Sequence, residues 1–148
     1  QFISYNDDSN ENASTKESDA IADIEEKLDV KMPEFYYRPY GMEFSKYIIN
    51  PAADIARIKY LYEEGNIYFY IDKQQTKKTS NISSLNGNEK VIDTISVDNI
   101  EVLLKEMDDS QDEKMTYIAD WNYDDVVYHI VGKLELKELK KIIKEMKF

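Results

Sequence analysis

The stretch from Met115 to Phe148, MTYIADWNYDDVVYHIVGKLELKELKKIIKEMKF, restricts the fold of this chain most, because its hydrophobic period changes within one short run. Met115, Tyr117, Ala119 and Trp121 alternate with Thr116, Ile118, Asp120 and Asn122, the period of a half-buried strand. Tyr123-Asp124-Asp125 supplies turn chemistry. Val126 to Val131 is β-branched and aromatic, with apolar residues on both faces, which predicts a strand covered on both sides and closed by Gly132. From Leu136 the period becomes helical. Leu136, Leu139, Ile142, Ile143 and Met146 form one stripe, and Lys137, Lys140, Lys141, Lys144 and Lys147 take the wet side. Glu135 and Glu138 near the start and lysines towards the end suit the helix dipole.

Upstream, Gln1 to Lys16 is polar and poor in core-forming residues after Tyr5, as in a leader or linker, with Phe2, Ile3 and Tyr5 expected to dock. The domain boundaries are set at a leader over residues 1–17 and a single domain over 18–148. Ser18 is the expected N-cap of a helix from Asp19 to about Leu28, with Ala20, Ile21, Ile24 and Leu28 facing inward and Pro33 ending any continuation. Strands are expected near Met42–Ile49, Ile55–Tyr62, Ile67–Ile71, Val91–Val97 and Ile100–Met107. Glu63-Glu64-Gly65-Asn66 is read as a four-residue hairpin loop. Tyr40-Gly41, Asn50-Pro51 and Asn86-Gly87 read as turns or breaks, and an edge strand is expected around Ser80 to Leu85. Five to seven strands joined mainly by tight turns, with a helix at each end, predict a largely antiparallel sheet in an α+β domain.

The 148 residues suffice for one ordinary core, one that buries roughly 68–70% of the unfolded chain's surface. Without cysteine there is no disulfide, thiolate metal site or cysteine nucleophile. A net charge of minus 11 opposes general electrostatic binding to nucleic acid or anionic lipid, so neither partner is expected. No apolar run is long enough to span a membrane. Gln1 in place of an initiator methionine is read as the start of a processed or trimmed chain, and any membrane attachment is expected only through an upstream anchor.

Candidate chemistry is sparse. His129 alone could serve as a histidine base, yet no nucleophile elbow accompanies it, so a structural or surface role is favoured. The loop at Asp108, Ser110 and Asp112 starts like a calcium loop but has Glu113 in place of the required glycine and Ala119 in place of the bidentate glutamate. The four glycines are scattered, which excludes a phosphate-binding glycine loop. No catalytic residue, metal site or cofactor is therefore assigned. The aromatic residues carry more weight. Most suit sheet faces and core, whereas Tyr36, Tyr37 and Tyr40 lie beside prolines in a loop and are the best candidates for an interface.

Three segments, PEFYYRPYGM at Pro33–Met42, IKYLYEEGNIYFYI at Ile58–Ile71 and YIADWNYDDVVYHIVGKLELKELKKIIKEM at Tyr117–Met146, resemble the bacterial domain-of-unknown-function family four-three-six-seven. That resemblance covers about Met32 to the C-terminus. It implies an extracytoplasmic C-terminal domain of a Gram-positive protein with a single upstream anchor, sometimes similar to membrane-bound anti-sigma regulators. It implies no catalytic residues. The expected function is a non-enzymatic ectodomain that senses or binds a protein or cell-wall component. Alternatives are a small secreted hydrolase using carboxylates, helped by His129, and a cytoplasmic regulatory interaction domain.

Overall fold

A computed structural model describes residues 16–73, 89–108 and 115–148. The expected docking of Phe2, Ile3 and Tyr5, the edge strand at Ser80 to Leu85, the Asn86-Gly87 turn and the acidic loop after Asp108 lie outside the described residues. Among the described residues the elements run α1 (Glu17–Leu28), β1 (Glu34–Phe35), β2 (Glu43–Asn50), β3 (Ile55–Tyr62), β4 (Gly65–Asp72), β5 (Glu89–Val97), β6 (Ile100–Met107), β7 (Thr116–Tyr123), β8 (Val126–Gly132), α2 (Leu136–Lys144) and β9 (Met146–Lys147). Seven strands form one antiparallel sheet in the order β2-β3-β4-β8-β7-β6-β5, and β1 pairs with β9 in a second, two-stranded sheet. The fold is α+β, as the strand and helix patterns predict.

Both helices lie on one face of the large sheet, α1 beside β2 and α2 beside β5 and β7. Alternation puts Ala56, Ile58 and Tyr60 of β3, Ile67, Phe69 and Ile71 of β4, Tyr128 and Ile130 of β8, Ala119 and Trp121 of β7, and Val102 and Leu104 of β6 on that face, all buried. Ala20, Ile24 and Leu28 of α1 and Leu139, Ile142 and Ile143 of α2 close over them. At the centre Trp121 stacks on Tyr128 at 5.6 Å between ring centroids, and Phe69 lies 6.0 Å from each.

Among the described residues the opposite face bears no helix, yet β7 is buried there too: Thr116, Ile118 and Asp120 are under a tenth exposed. The half-buried reading of this strand is thus corrected. As the central neighbour of β8 and β6, it has flanking side chains on either side. On β8 Val127 is buried on the same face, which agrees with a strand covered on both sides, although His129 and Val131 remain partly accessible. Each sheet edge is interrupted by a register shift, between Phe44 and Lys46 in the β2–β3 pair and between Val91 and Asp93 in the β5–β6 pair. Such irregular edges hinder edge-to-edge pairing with other chains.

Three local expectations are corrected. The β3–β4 hairpin turns on two residues, Glu63-Glu64, because Tyr62 already pairs with Gly65. That register is the one that aligns Ile67 and Phe69 with the buried positions of β3, and Glu63 accommodates it with φ 56°. Helix α1 starts at Glu17 with Lys16 as N-cap, and Ser18 lies inside the first turn. It ends at Leu28, before Pro33, where Asp29 turns left-handed and Lys73 Nζ donates to the Leu28 carbonyl at 2.9 Å. Helix α2 stops at Lys144, and Met146 leaves the helical stripe to pair with Phe35 while remaining buried.

Urea unfolding should register the loss or crowding of these core contacts. Trp121→Ala should cost about 3–5 kcal/mol and Ile142→Ala about 2–5 kcal/mol. Gly132→Ala should cost about 1–3 kcal/mol, because an added Cβ would sit 2.9 Å from Ile67 Cγ1 and 3.3 Å from Ile67 Cα on the adjoining strand. Unchanged midpoints would contradict this packing.

Candidate functional site

The segment after β1 crosses the ends of both helices and is fastened at several points. Glu34 and Phe35 pair with Lys147 and Met146, and the Tyr36 amide donates to the Glu145 carbonyl at 3.1 Å. The Tyr37 hydroxyl donates to Glu138 of α2, and Lys141 Nζ lies 5.2 Å from the Tyr37 ring centroid. Arg38 forks onto Glu17 of α1 with two donor–acceptor distances of 2.8 and 2.7 Å. The Met42 amide donates to the Pro39 carbonyl, and Gly41, at φ 87°, takes the left-handed conformation that this turn demands.

These fastenings sort the three tyrosines singled out by sequence. Tyr36 is 65% exposed and Tyr40 fully exposed, whereas Tyr37 turns back onto α2. Tyr36 also helps line a groove of about 280 Å³, together with Ile21, Pro33, Phe35, Glu17, Glu34 and Arg38. Tyr36 donates to Glu34 at 2.9 Å. The Tyr60 hydroxyl donates to Glu17 Oε2 at 2.7 Å, so Glu17 holds both Arg38 and Tyr60. Burial, reinforced by the Glu17 carboxylate, drives the Tyr60 phenol pKa well above its ordinary value of 10.0.

A second cluster occupies the helix-free face. Asp120 of β7 pairs in register with His129 of β8, and its Oδ1 lies 2.6 Å from His129 Nδ1. Its other oxygen, Oδ2, lies 2.6 Å from Lys105 Nζ of β6, and Lys105 also reaches Glu89 at 3.4 Å. Asp120 and Lys105 are almost wholly buried, so each needs the other: an isolated charge at that depth is expensive. His129 adds an edge-on contact with Tyr70 of β4. Sequence reading found His129 but neither partner. The only available signal was a carboxylate within an apolar strand, and the cross-strand registers that unite Lys105, Asp120 and His129 are not local.

Among the described residues no group of three or more His, Cys, Asp or Glu side chains is placed to hold a metal ion. No described helix is long and apolar enough to cross a membrane. The site-bearing surfaces are therefore an aromatic strap at the helix ends and a polar cluster on the open sheet face, a pair of features that defines an α+β domain of two unlike faces. A family model described as Domain of unknown function (DUF4367) matches residues 32–146, which takes in the strap, the whole sheet and α2, and the chain belongs to that family. No curated protein and no solved structure matches it.

Asp120→Asn should lower stability by about 3–5 kcal/mol at neutral pH, because Lys105 then stays buried without its nearest counter-charge. Alkaline unfolding tests the other cluster. A raised folded-state pKa at Tyr60 stabilises fully below the unfolded value near pH 10, and that stability disappears as pH rises through the higher folded value. Tyr60→Phe should accordingly flatten the stability loss above about pH 10, at a cost of about 1 kcal/mol at neutral pH.

Proposed function

We propose that this domain is a non-enzymatic ectodomain, displayed outside the membrane, that senses or binds a protein or cell-wall component through its aromatic strap. The carrying observation is the full exposure of Tyr40, together with the 65% exposure of Tyr36, on a backbone held at Glu145, Glu138 and Glu17. A large, stiff aromatic surface on a pre-fixed segment loses little entropy on binding. The adjoining groove, lined by Ile21, Pro33 and Phe35 together with charged Glu17, Glu34 and Arg38, can take a side chain of the partner. The resemblance noted in the sequence, which implies an ectodomain sometimes similar to membrane-bound anti-sigma regulators, points the same way.

A photo-crosslinking residue at position 40, in the full-length protein on intact cells, tests it against the same residue at Lys137, 75% exposed and distant in role. A discrete adduct from position 40, none from 137, and loss of the adduct in a Tyr36→Ala background are expected. Tyr36→Ala itself should shift unfolding free energy by less than about 0.5 kcal/mol. Equal crosslinking from both positions would defeat the proposal.

The 2.6 Å approach of His129 to Asp120 favours a second reading, the small carboxylate-dependent hydrolase, with Asp120 orienting His129 as a base. Its requirement is turnover of a peptide or glycan that His129→Gln abolishes without loss of fold.

A further inference from the structure

The helix-free face carries a feature separate from Asp120. Register sets Lys46 of β2 directly opposite Lys59 of β3, Lys59 opposite Tyr68 of β4, and Arg57 opposite Tyr70. Three cations and two tyrosines thus share one face of three strands spaced about 4.8 Å apart. Like charges placed directly opposite one another destabilise a sheet. Neither Lys46 nor Lys59 makes an ion pair among the described residues. This local excess of positive charge stands in a chain whose 30 acidic residues outnumber 19 basic ones.

Arg57 gives the patch direction. Its guanidinium lies over the Tyr68 ring, 4.8 Å from the centroid, which holds the planar fork against the aromatic face. Tyr70 continues the aromatic surface, its ring 6.1 Å from that of Tyr68. Glu43 and Asp72 bound the patch one step along the strands on either side. A planar donor fork with two flanking ammonium groups matches a carboxylate or phosphate group, and neighbouring tyrosines suit a sugar ring.

We propose that Arg57, Lys46 and Lys59, backed by Tyr68 and Tyr70, form a binding site for an acidic saccharide, the shared recognition element being a ring-borne carboxylate or phosphate. The size of the ligand follows from electrostatics. Exposed charges more than about 8 Å away are screened at physiological ionic strength, so a small acidic sugar feels the patch, whereas an extended polyanion also meets the acidic remainder of the surface. This site goes beyond the strap proposed above, and it rests on that reading only in treating the domain as a binder. It uses the face opposite the helices and none of the strap.

Calorimetric titration of the full chain with a glucuronate-containing trisaccharide and with glucose 6-phosphate tests the site, against the neutral parent sugars and a short single-stranded oligonucleotide. Saturable binding of at least one acidic sugar is expected, and the two arms distinguish carboxylate from phosphate. Lys46→Glu and Lys59→Glu should each weaken it about tenfold or more, and Arg57→Lys should weaken it although net charge is kept. The Tyr36→Ala, Tyr40→Ala double variant should bind normally, and thermal unfolding monitors the fold of every variant. Absence of binding, equal affinity for the neutral sugars, tighter binding of the oligonucleotide, or full affinity in the charge-reversed variants would each overturn the proposal. Affinity lost only in the tyrosine double variant would also overturn it, by moving the ligand to the strap.

Discussion

The stacked rings of Phe69, Tyr128 and Trp121 are the constraint on which the rest of the structure depends. They come from three adjacent strands, β4, β8 and β7, and fix those strands with their aromatic faces towards the helices. Phe35 of β1 meets Phe69 edge-on at 5.2 Å, and Phe148, just after β9, meets Tyr128 edge-on at 5.3 Å, so the small sheet is tied to the same aromatic layer at both strands. The Tyr128 hydroxyl satisfies the Lys31 carbonyl in the link between α1 and β1. One polar atom goes without: Trp121 Nε1 is buried with no hydrogen-bond partner among the described residues, a cost that the packing of its ring must outweigh.

From that layer follow two surfaces with different physics. Where the small sheet and helix ends hold the strap, backbone and side-chain bonds satisfy the segment and leave Tyr36 and Tyr40 outside it. On the opposite face polar groups run across the sheet in register, with buried Asp120 bridging Lys105 and His129 and Arg57 lying over Tyr68 nearer the edge. A sheet with both described helices on one side makes such segregation possible, because every strand presents alternate residues to the two environments. The acidic excess of the chain is therefore not evenly spread, and Lys46, Arg57 and Lys59 on β2 and β3 gather positive charge at one end of the open face.

The legible part of the fold was whatever repeats locally. The ranges Ile55–Tyr62 and Ile100–Met107 agree residue for residue with β3 and β6, because alternation and flanking breakers are carried by neighbouring residues. What escaped depends on partners distant in the chain. Met146 fits a helical stripe by spacing, but Phe35 draws it into a strand pair more than a hundred positions away. Glu63 and Glu64 lack the usual turn chemistry, and the buried register of Ile67 and Phe69 overrides it. Tyr37 has the same flanking prolines as its neighbours, yet Glu138 and Lys141 claim it. Asp120 looked like a wet position on an alternating strand, and only the registers of β6 and β8 reveal what it holds.

Both proposals place the partners of these two surfaces outside the cell membrane. Protease treatment of intact cells making the full-length protein, followed by membrane fractionation and detection of this domain, tests it most directly. The account predicts that external protease removes the domain without lysis and leaves a membrane-associated stub. Full protection until the cells are broken, with the domain recovered in the soluble cytosolic fraction, would contradict it.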